Sequence, residues 1–339
     1  MSGIRTKKIG LLSTLILILP IFVLVLSLTI GSYPISPKNL LKTLASGIVS
    51  VFKHSPPSVY HDIVFRIRFP RLLLALAVGA SLSVSGASLQ AFFRNPLVNE
   101  YILGISSGSA FGAALSLVFL GRGFPVQLAA FLFAVIAVLA VFLIAGSSDA
   151  PIVSLLLTGV IVSAFFSALL ALVEYFANPY ALQALFFWLM GSLSLATWRE
   201  ISLSLPLMVL GIGVLILLRW RMNVLSMSSD EARALGIDLR REKMLVIVAT
   251  ALTTASATAV AGIISWVGLI VPHMVRMMVG VDNRRVIPLS AAFGASFLML
   301  ADDITRGLTS FEIPIGIFTN IIGIPLFIFL LKKSAKVWL

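Results

Sequence analysis

Apolar runs long enough to cross a bilayer recur along the whole chain, near 9–30, 72–93, 102–120, 126–145, 151–173, 201–218, 243–264 and 313–331. Crossing a hydrocarbon core takes about 20 predominantly apolar residues in a helix. Each such run has to be helical, because in lipid every backbone N–H and C=O must find its partner within the protein. Two further runs are less clean: 267–280 contains Pro272, and 286–304 ends on Asp302-Asp303. The expected fold is therefore all-α and polytopic, with ten transmembrane helices in a compact bundle and residues 1–339 forming one transmembrane domain. Composition closes off the soluble alternatives. The chain is 59% hydrophobic and 11% charged, against about 45–50% and about 25% in soluble domains.

Charge orients the bundle. There are 25 Lys and Arg against 13 Asp and Glu, a net +12, and the basic residues lie mostly between apolar runs. That pattern points to membrane orientation by the positive-inside rule and not to nucleic acid. With ten spans and both termini cytoplasmic, sixteen of the 25 fall inside, and most of the remainder sit in one segment, Lys38–Arg71. An odd number of spans would put Lys332, Lys333 and Lys336 outside. Arg5, Lys7 and Lys8 ahead of an apolar stretch from Ile9 to Ile30 have the order of a signal peptide. The stretch is longer than a usual signal core and no A-x-A site follows, so it reads as a retained first span.

Much chemistry is absent. With no cysteine there is no disulfide, thiolate metal site or cysteine nucleophile. His54, His61 and His273 are too scattered for a metal site. No G-x-x-x-x-G-K-[ST] occurs and no Lys lies between Lys53 and Lys243, so no P-loop cradles ATP phosphates. The serines of Gly104-Ile105-Ser106-Ser107-Gly108 have no base to accompany them. The expectation is no catalytic residue, no metal and no cofactor in this chain. An ion-coupled secondary carrier is the alternative of another class, since intramembrane charges persist mainly for function. It has little residue support: Glu174, Asp302 and Asp303 fall near outer helix ends, and only His273 is placed deeper. A membrane receptor or scaffold without transport is a third reading.

Small residues recur every four positions in several runs, as in Ala75, Gly79, Ser83, Ala87 and Ala91, or Gly159, Ser163 and Ser167. A period of four keeps them on one helix face, where backbones approach closely. Tight packing is the plain reading; hydroxyls lining a path is the sharper one. Two polar segments stand out. The cytoplasmic connection 220–242 can form a short helix capped by Ser228 or Ser229 and ended at Gly236, too short to stand without a partner. The run Arg66-Ile67-Arg68-Phe69-Pro70-Arg71 is placed outside, as snorkelling arginines or as a patch for an acidic partner, with Arg306 able to join it.

These residues sit in a series of motifs in consistent order over about residues 60–335. The first are Arg68-x-Pro70-Arg71, Ser85-Gly86-x-x-x-Gln90, Arg94-Asn95-Pro96-Leu97 and Leu103-Gly104-Ile105-x-x-Gly108. Then come Trp188-x-Met190-Gly191-Ser192, Glu231-Ala232-x-x-Leu235-Gly236 and Val267-Gly268-Leu269-x-x-Pro272-His273-x-x-Arg276. The last are Ala301-Asp302-x-x-x-Arg306 and Pro314-x-Gly316-x-x-Thr319-x-x-Gly323-x-Pro325. The chain resembles the permease subunits of the iron-siderophore, haem and cobalamin class of ABC importers, the FecCD family, type II importers with a cobalamin-permease-like bundle. The resemblance implies a homodimer with the path on its two-fold axis, in the plasma (inner) membrane of a bacterium or archaeon. Two cytoplasmic ABC ATPase subunits would carry ATP and Mg, and one substrate-binding protein would dock outside. Asp230, Glu231, Ala232, Arg233, Ala234, Leu235 and Gly236 would couple to the ATPase. Arg68, Arg71 and Arg306 would meet glutamates of the binding protein, and Ser147, Ser148, Asp149 and Pro151 would lie near the cytoplasmic gate. The cargo implied is an iron chelate, siderophore or haem, with cobalamin or molybdate and tungstate as alternatives. Two departures concern the path: Glu100 stands where a proline is common after Asn-Pro-Leu, and Ser265-Trp266 where Gly-Phe is usual. If Trp266 faces the path it narrows it.

Overall fold

The structure is a computed structural model, and it describes residues 2–31, 33, 35–50, 59–146, 152–194, 196–227, 229–236, 238–307 and 312–338. In chain order its helices are α1 (Ser2–Ser27), α2 (Pro37–Ser50), α3 (Val59–Phe93), α4 (Ile105–Leu120) and α5 (Val126–Ala145). They continue with α6 (Ile152–Phe176), α7 (Pro179–Leu189), α8 (Trp198–Leu217), α9 (Arg219–Leu225) and α10 (Ser229–Ala234). The last are α11 (Leu239–Ala261), α12 (Val267–Val279), α13 (Asn283–Gly307) and α14 (Ile315–Trp338). Among the described residues, seven helices are long and apolar enough to cross a membrane, and α4, α12 and α14 are shorter apolar helices. Together these ten coincide with the ten runs read from the sequence.

Three helices were not anticipated: α2, α7 and α9, the last in the connection where one short helix was expected. The eleven residues of α7 rise only about 16 Å, too little to cross. Its start is marked by Asn178, whose side chain accepts from Ala181 N at 2.9 Å, with Pro179 following, a cap and first-turn pair legible in the sequence. Helix α2 buries Leu40 and Thr43 while Leu41 is exposed, one apolar face of a helix lying against the bundle.

The second span also starts earlier than expected. Instead of beginning at Leu72 with an outside loop before it, α3 is one 35-residue helix from Val59, about 52 Å long. Ile63–Arg68 is wound in π register. Pro70, which offers no N–H, stands just beyond that wide turn. Arg68 and Arg71 are thereby carried on a helix and turned into the protein.

Helix α3 is the centre of the bundle, with 89% of its apolar window buried, against 11% for α1. Close approach depends on paired glycines. A Cβ at Gly79 would overlap the Gly294 backbone of α13, and one at Gly86 would overlap Gly268 of α12. On the next interface Gly108 and Gly112 of α4 meet the backbone of Phe133 and Ala129 of α5. The period-four seams therefore serve packing first. Gly294→Val is expected to destabilise the protein by about 1–3 kcal/mol or more through overpacking. Thermal melting in mild detergent reads this. Gly213, with nothing within 4 Å of an added Cβ, provides a control: Gly213→Ala should leave the melting point unchanged or raised.

Candidate coupling surface and transport path

At one end of the bundle, the side chains of Ser27 of α1, Arg71 of α3, and Asp302, Asp303 and Arg306 of α13 close on one another, with Arg68 and Glu312 beside them. Asp302, fully buried, receives Arg71 Nε at 2.9 and 3.1 Å and Arg71 Nη2 at 2.8 Å, a bidentate pairing that fixes the guanidinium plane. Arg71 Nη1 continues outward to Glu312 Oε1 at 2.7 Å, whose side chain is half-exposed. Asp303 accepts from Arg306 and from Ser27 Oγ of α1, and Arg306 Nη2 also donates to Ser27 O at 3.0 Å. Arg68 donates to Leu28 O at 2.6 Å and to Tyr33 O.

All three arginines expected at the docking surface are thus 4–8% exposed and bound by this chain's own carboxylates and carbonyls. The physical reason is the length of α3, which draws Arg68 and Arg71 alongside α13. The outward cations near them are Arg66, which is exposed and pairs with Asp62 at 3.1 Å, and Arg199. Trp198 Nε1 donates to Phe65 O at 3.0 Å, bringing the start of α8 beside Arg66.

On the opposite side, α9 forms a platform for α10. Asn223 Nδ2 donates to Asp282 Oδ1 at 2.7 Å and Asn283 N donates to Asn223 Oδ1 at 2.9 Å, tying α9 to the turn before α13. Partial burial works against the Asp282 charge. The Asn223 hydrogen bond, the Arg284 backbone and the Arg284 and Arg285 side chains outweigh it and hold the carboxyl below its ordinary range. Arg221 pairs with Glu242, and Arg94 Nε donates to Leu225 O at 3.2 Å. On this platform α10 is six residues long. Leu235 N closes it on Glu231 O at 3.2 Å, and Gly236 stands just past its end at φ +75°, as the sequence anticipates. Ala232 is buried while Glu231, Ala234, Leu235 and Gly236 are exposed. Asp230 and Arg233 lie on the same helix. The expected gate residues Ser147, Ser148, Asp149 and Pro151 lie outside the described residues, as does Ser228.

Between α4, α6 and α7 lies a cavity of about 410 Å³, lined by Asn99, Tyr101, Ser106, Ser107, Ser163 and Ser167 with apolar neighbours, and by no charged side chain. Hydroxyls of one seam, Ser163 and Ser167, therefore do face open space, with Ser106 and Ser107 of α4 beside them. Trp266 lies at the break between α11 and α12. It is the residue before α12, at φ 74°, and its ring packs on Gly323 and on Phe327 of α14, with centroids 5.8 Å apart. His273 is buried and faces the same Phe327 at 6.3 Å. Among the described residues no group of His, Cys, Asp and Glu could hold a metal ion.

A model of the FecCD transport family matches residues 17–333. The chain belongs to that family. It is 37% identical over 314 residues to the molybdate import system permease protein MolB of Haemophilus influenzae, covering 92% of each chain. It is 38% identical to the cobalamin import system permease protein BtuC of Halobacterium salinarum, over 81% of this chain and 75% of that one. A solved metal-chelate type ABC transporter in an inward-facing conformation superposes with a TM-score of 0.86 at 36% identity, covering 96% of this chain and 99% of that one. This FecCD-family chain is a polytopic membrane permease of an ABC importer, a transport component.

Removing one partner of a buried ion pair leaves the other charge uncompensated, at about 3–5 kcal/mol. Asp302→Asn is therefore expected to lower the unfolding free energy of the purified FecCD-family permease by that order, read by denaturant titration in detergent micelles. Glu312→Gln, at the exposed edge of the cluster, should cost less than about 1 kcal/mol.

Proposed function

We propose that two copies of this chain form the membrane-spanning half of an importer driven by two cytoplasmic ABC ATPases, with both termini cytoplasmic and a substrate-binding protein docking outside. The observation that carries this is α10, a six-residue helix with exposed Glu231 and Leu235 on a platform braced by Asn223, Arg221 and Arg94. A helix that short has little stability of its own, and so rigid a mounting suits one that receives a push. Asp230–Gly236 is its ATPase-coupling segment. Ser147, Ser148, Asp149 and Pro151 belong to the cytoplasmic gate. The second copy would cover apolar faces of α6, α7 and α14, which expose Phe165, Tyr175, Tyr180, Phe187 and Ile321.

Outside, Arg68, Arg71 and Arg306 act by holding α1, α3 and α13 in register beneath the docking surface, and the exposed Arg199, with Arg66 shared between Asp62 and solvent, presents charge to acidic groups of the binding protein. The cavity beside α4 carries hydroxyls and no charge, so the permease holds cargo weakly and selection rests with the binding protein. The cargo class is a metal-containing compound, an iron chelate in the first place. Molybdate is the second reading, favoured by the 37% identity to MolB across 92% of both chains.

Affinity purification of the tagged chain in mild detergent should bring down a P-loop ATPase in stoichiometric amount by mass spectrometry. A permease recovered alone, in detergents that keep other importers intact, overturns the importer reading in favour of a secondary carrier. Glu231→Lys combined with Arg233→Glu should leave the chain folded and lower ATP-driven uptake at least tenfold; uptake at the wild-type rate removes the coupling role of α10.

A further inference from the structure

Residues 94–104 join α3 to α4 without regular structure, yet Val98, Glu100, Leu103 and Gly104 are buried. Irregular backbone inside a membrane protein is stable only where protein groups enclose and satisfy it. This segment is held at its two ends by different parts of the chain. At one end Arg94, left-handed at φ 52°, donates to Leu225 O of α9, and Ser226 Oγ donates to Ala91 O at 3.3 Å. At the other end Tyr101 Oη donates to Ile264 O at 3.1 Å and accepts from Ile264 N at 3.3 Å, in the break between α11 and α12.

Between those ends sits Glu100, 0% exposed. Its carboxylate lies against Gly268 in the first turn of α12, where a Cβ would overlap it. Burial pushes the Glu100 carboxyl up to about 7, opposed by backbone hydrogen bonding at Glu100 and Gly268 that favours its charged form, and neither oxygen has a side-chain partner. What the carboxylate faces is the positive end of α12, which has no side-chain cap of its own. An acidic group is attracted to a helix N-terminus, and the attraction is largest where water is excluded. From there the contacts continue. Trp266 at the head of α12 closes on Gly323 and Phe327 of α14. The start of α14 is tied to the turn after α7, with Ile315 N donating to Gly191 O at 3.2 Å and Gly316 N to Met190 O at 3.0 Å.

We propose that Glu100 is a positioning residue for transport, which makes α12, and through Trp266 the neighbouring helix α14, follow the movement of the α9–α10 coupling segment. The coupling segment moves the 94–104 connection through Arg94 and Ser226. The Glu100 charge keeps the head of α12 with that connection, and Trp266 passes the displacement to α14. This rests on the importer reading above. A continuous chain of contacts is not itself evidence of coupling, so the test has to separate transmission from mere support.

The experiment uses the complete permease–ATPase complex in lipid nanodiscs, with Mg-ATP and vanadate as the probe and hydrogen–deuterium exchange as the readout. In the wild type, trapping should change exchange in three segments: 226–236, 262–270 and 315–325. In Glu100→Gln, which keeps the shape and loses the charge, the change at 226–236 should persist while those at 262–270 and 315–325 are lost. Retention of all three changes overturns the proposal, including where the variant only raises exchange equally with and without nucleotide, as a supporting role would. If the Gln variant does not assemble, Glu100→Asp decides, because it keeps the charge and withdraws it from Gly268: a weakened response at 315–325 is expected, and a full response overturns the proposal. Failure of both variants to assemble also overturns it, since the carboxylate then serves the fold alone. A wild-type complex whose 226–236 segment ignores nucleotide would remove the importer reading itself, a different result from any of these.

Discussion

Where Gly79 of α3 meets Gly294 of α13, and Gly86 meets Gly268 of α12, the helices approach until one backbone touches the next. Within lipid there is no hydrophobic drive between two apolar helices, so van der Waals contact at such close range supplies much of the attraction. The rest of the architecture depends on this contact. It brings α13 near enough for Asp302 and Asp303 to neutralise Arg71 and Arg306, and α12 near enough for Gln90 to donate to the carbonyls of Gly268 and Leu269. A bulkier side chain at any of the four glycines would move the charged groups apart as well as the helices.

The polar groups buried by this packing divide into two kinds. Those of the Arg71–Asp302–Arg306 cluster are satisfied by one another, apart from Arg306 Nε, and the result is a rigid end to the bundle. Those along the seams are less fully engaged: Ser81, Ser83, Ser85, Ser88 and Thr254 bury hydroxyls without a partner, although Thr253 and Ser256 bond back to carbonyls four residues earlier. An unpaired buried hydroxyl weakens a static fold. In a bundle that has to change between two packings, small polar surfaces without committed partners lower the difference between the two arrangements.

The ten apolar runs and the end of α10 at Gly236 were legible because each rests on local pattern, that is, run length and a residue suited to positive φ. The family motifs were likewise visible in order along the chain. The burial of Arg68, Arg71 and Arg306 was not, since the register of α3 against α13 is set by glycines and aspartates that lie more than 200 residues apart in the case of Arg71 and Asp302. The packing of Trp266 was not legible for a related reason: its direction follows from a left-handed backbone and from Gly323, neither of which a hydropathy pattern reveals. Helix α7 is a milder miss. Asn178-Pro179 announces a helix start, but an apolar run of eleven residues is too short to stand out among the spans.

The pairing of Arg71 with Asp302 across 231 positions of sequence also bears on how the chain is made. Ribosomes deliver α3 to the membrane long before α13 exists, so Arg71 enters with its final counter-charge still unsynthesised, while the Leu28 and Tyr33 carbonyls that hold Arg68 precede it in the chain. Until then the Arg71 guanidinium has to remain at the headgroup level or in contact with the insertion machinery, and the early helices cannot close around α3. Assembly is thus finished from the C-terminal end. A chain cut short before Asp302 would hold an unneutralised cation in its central helix, a ready mark for membrane quality control.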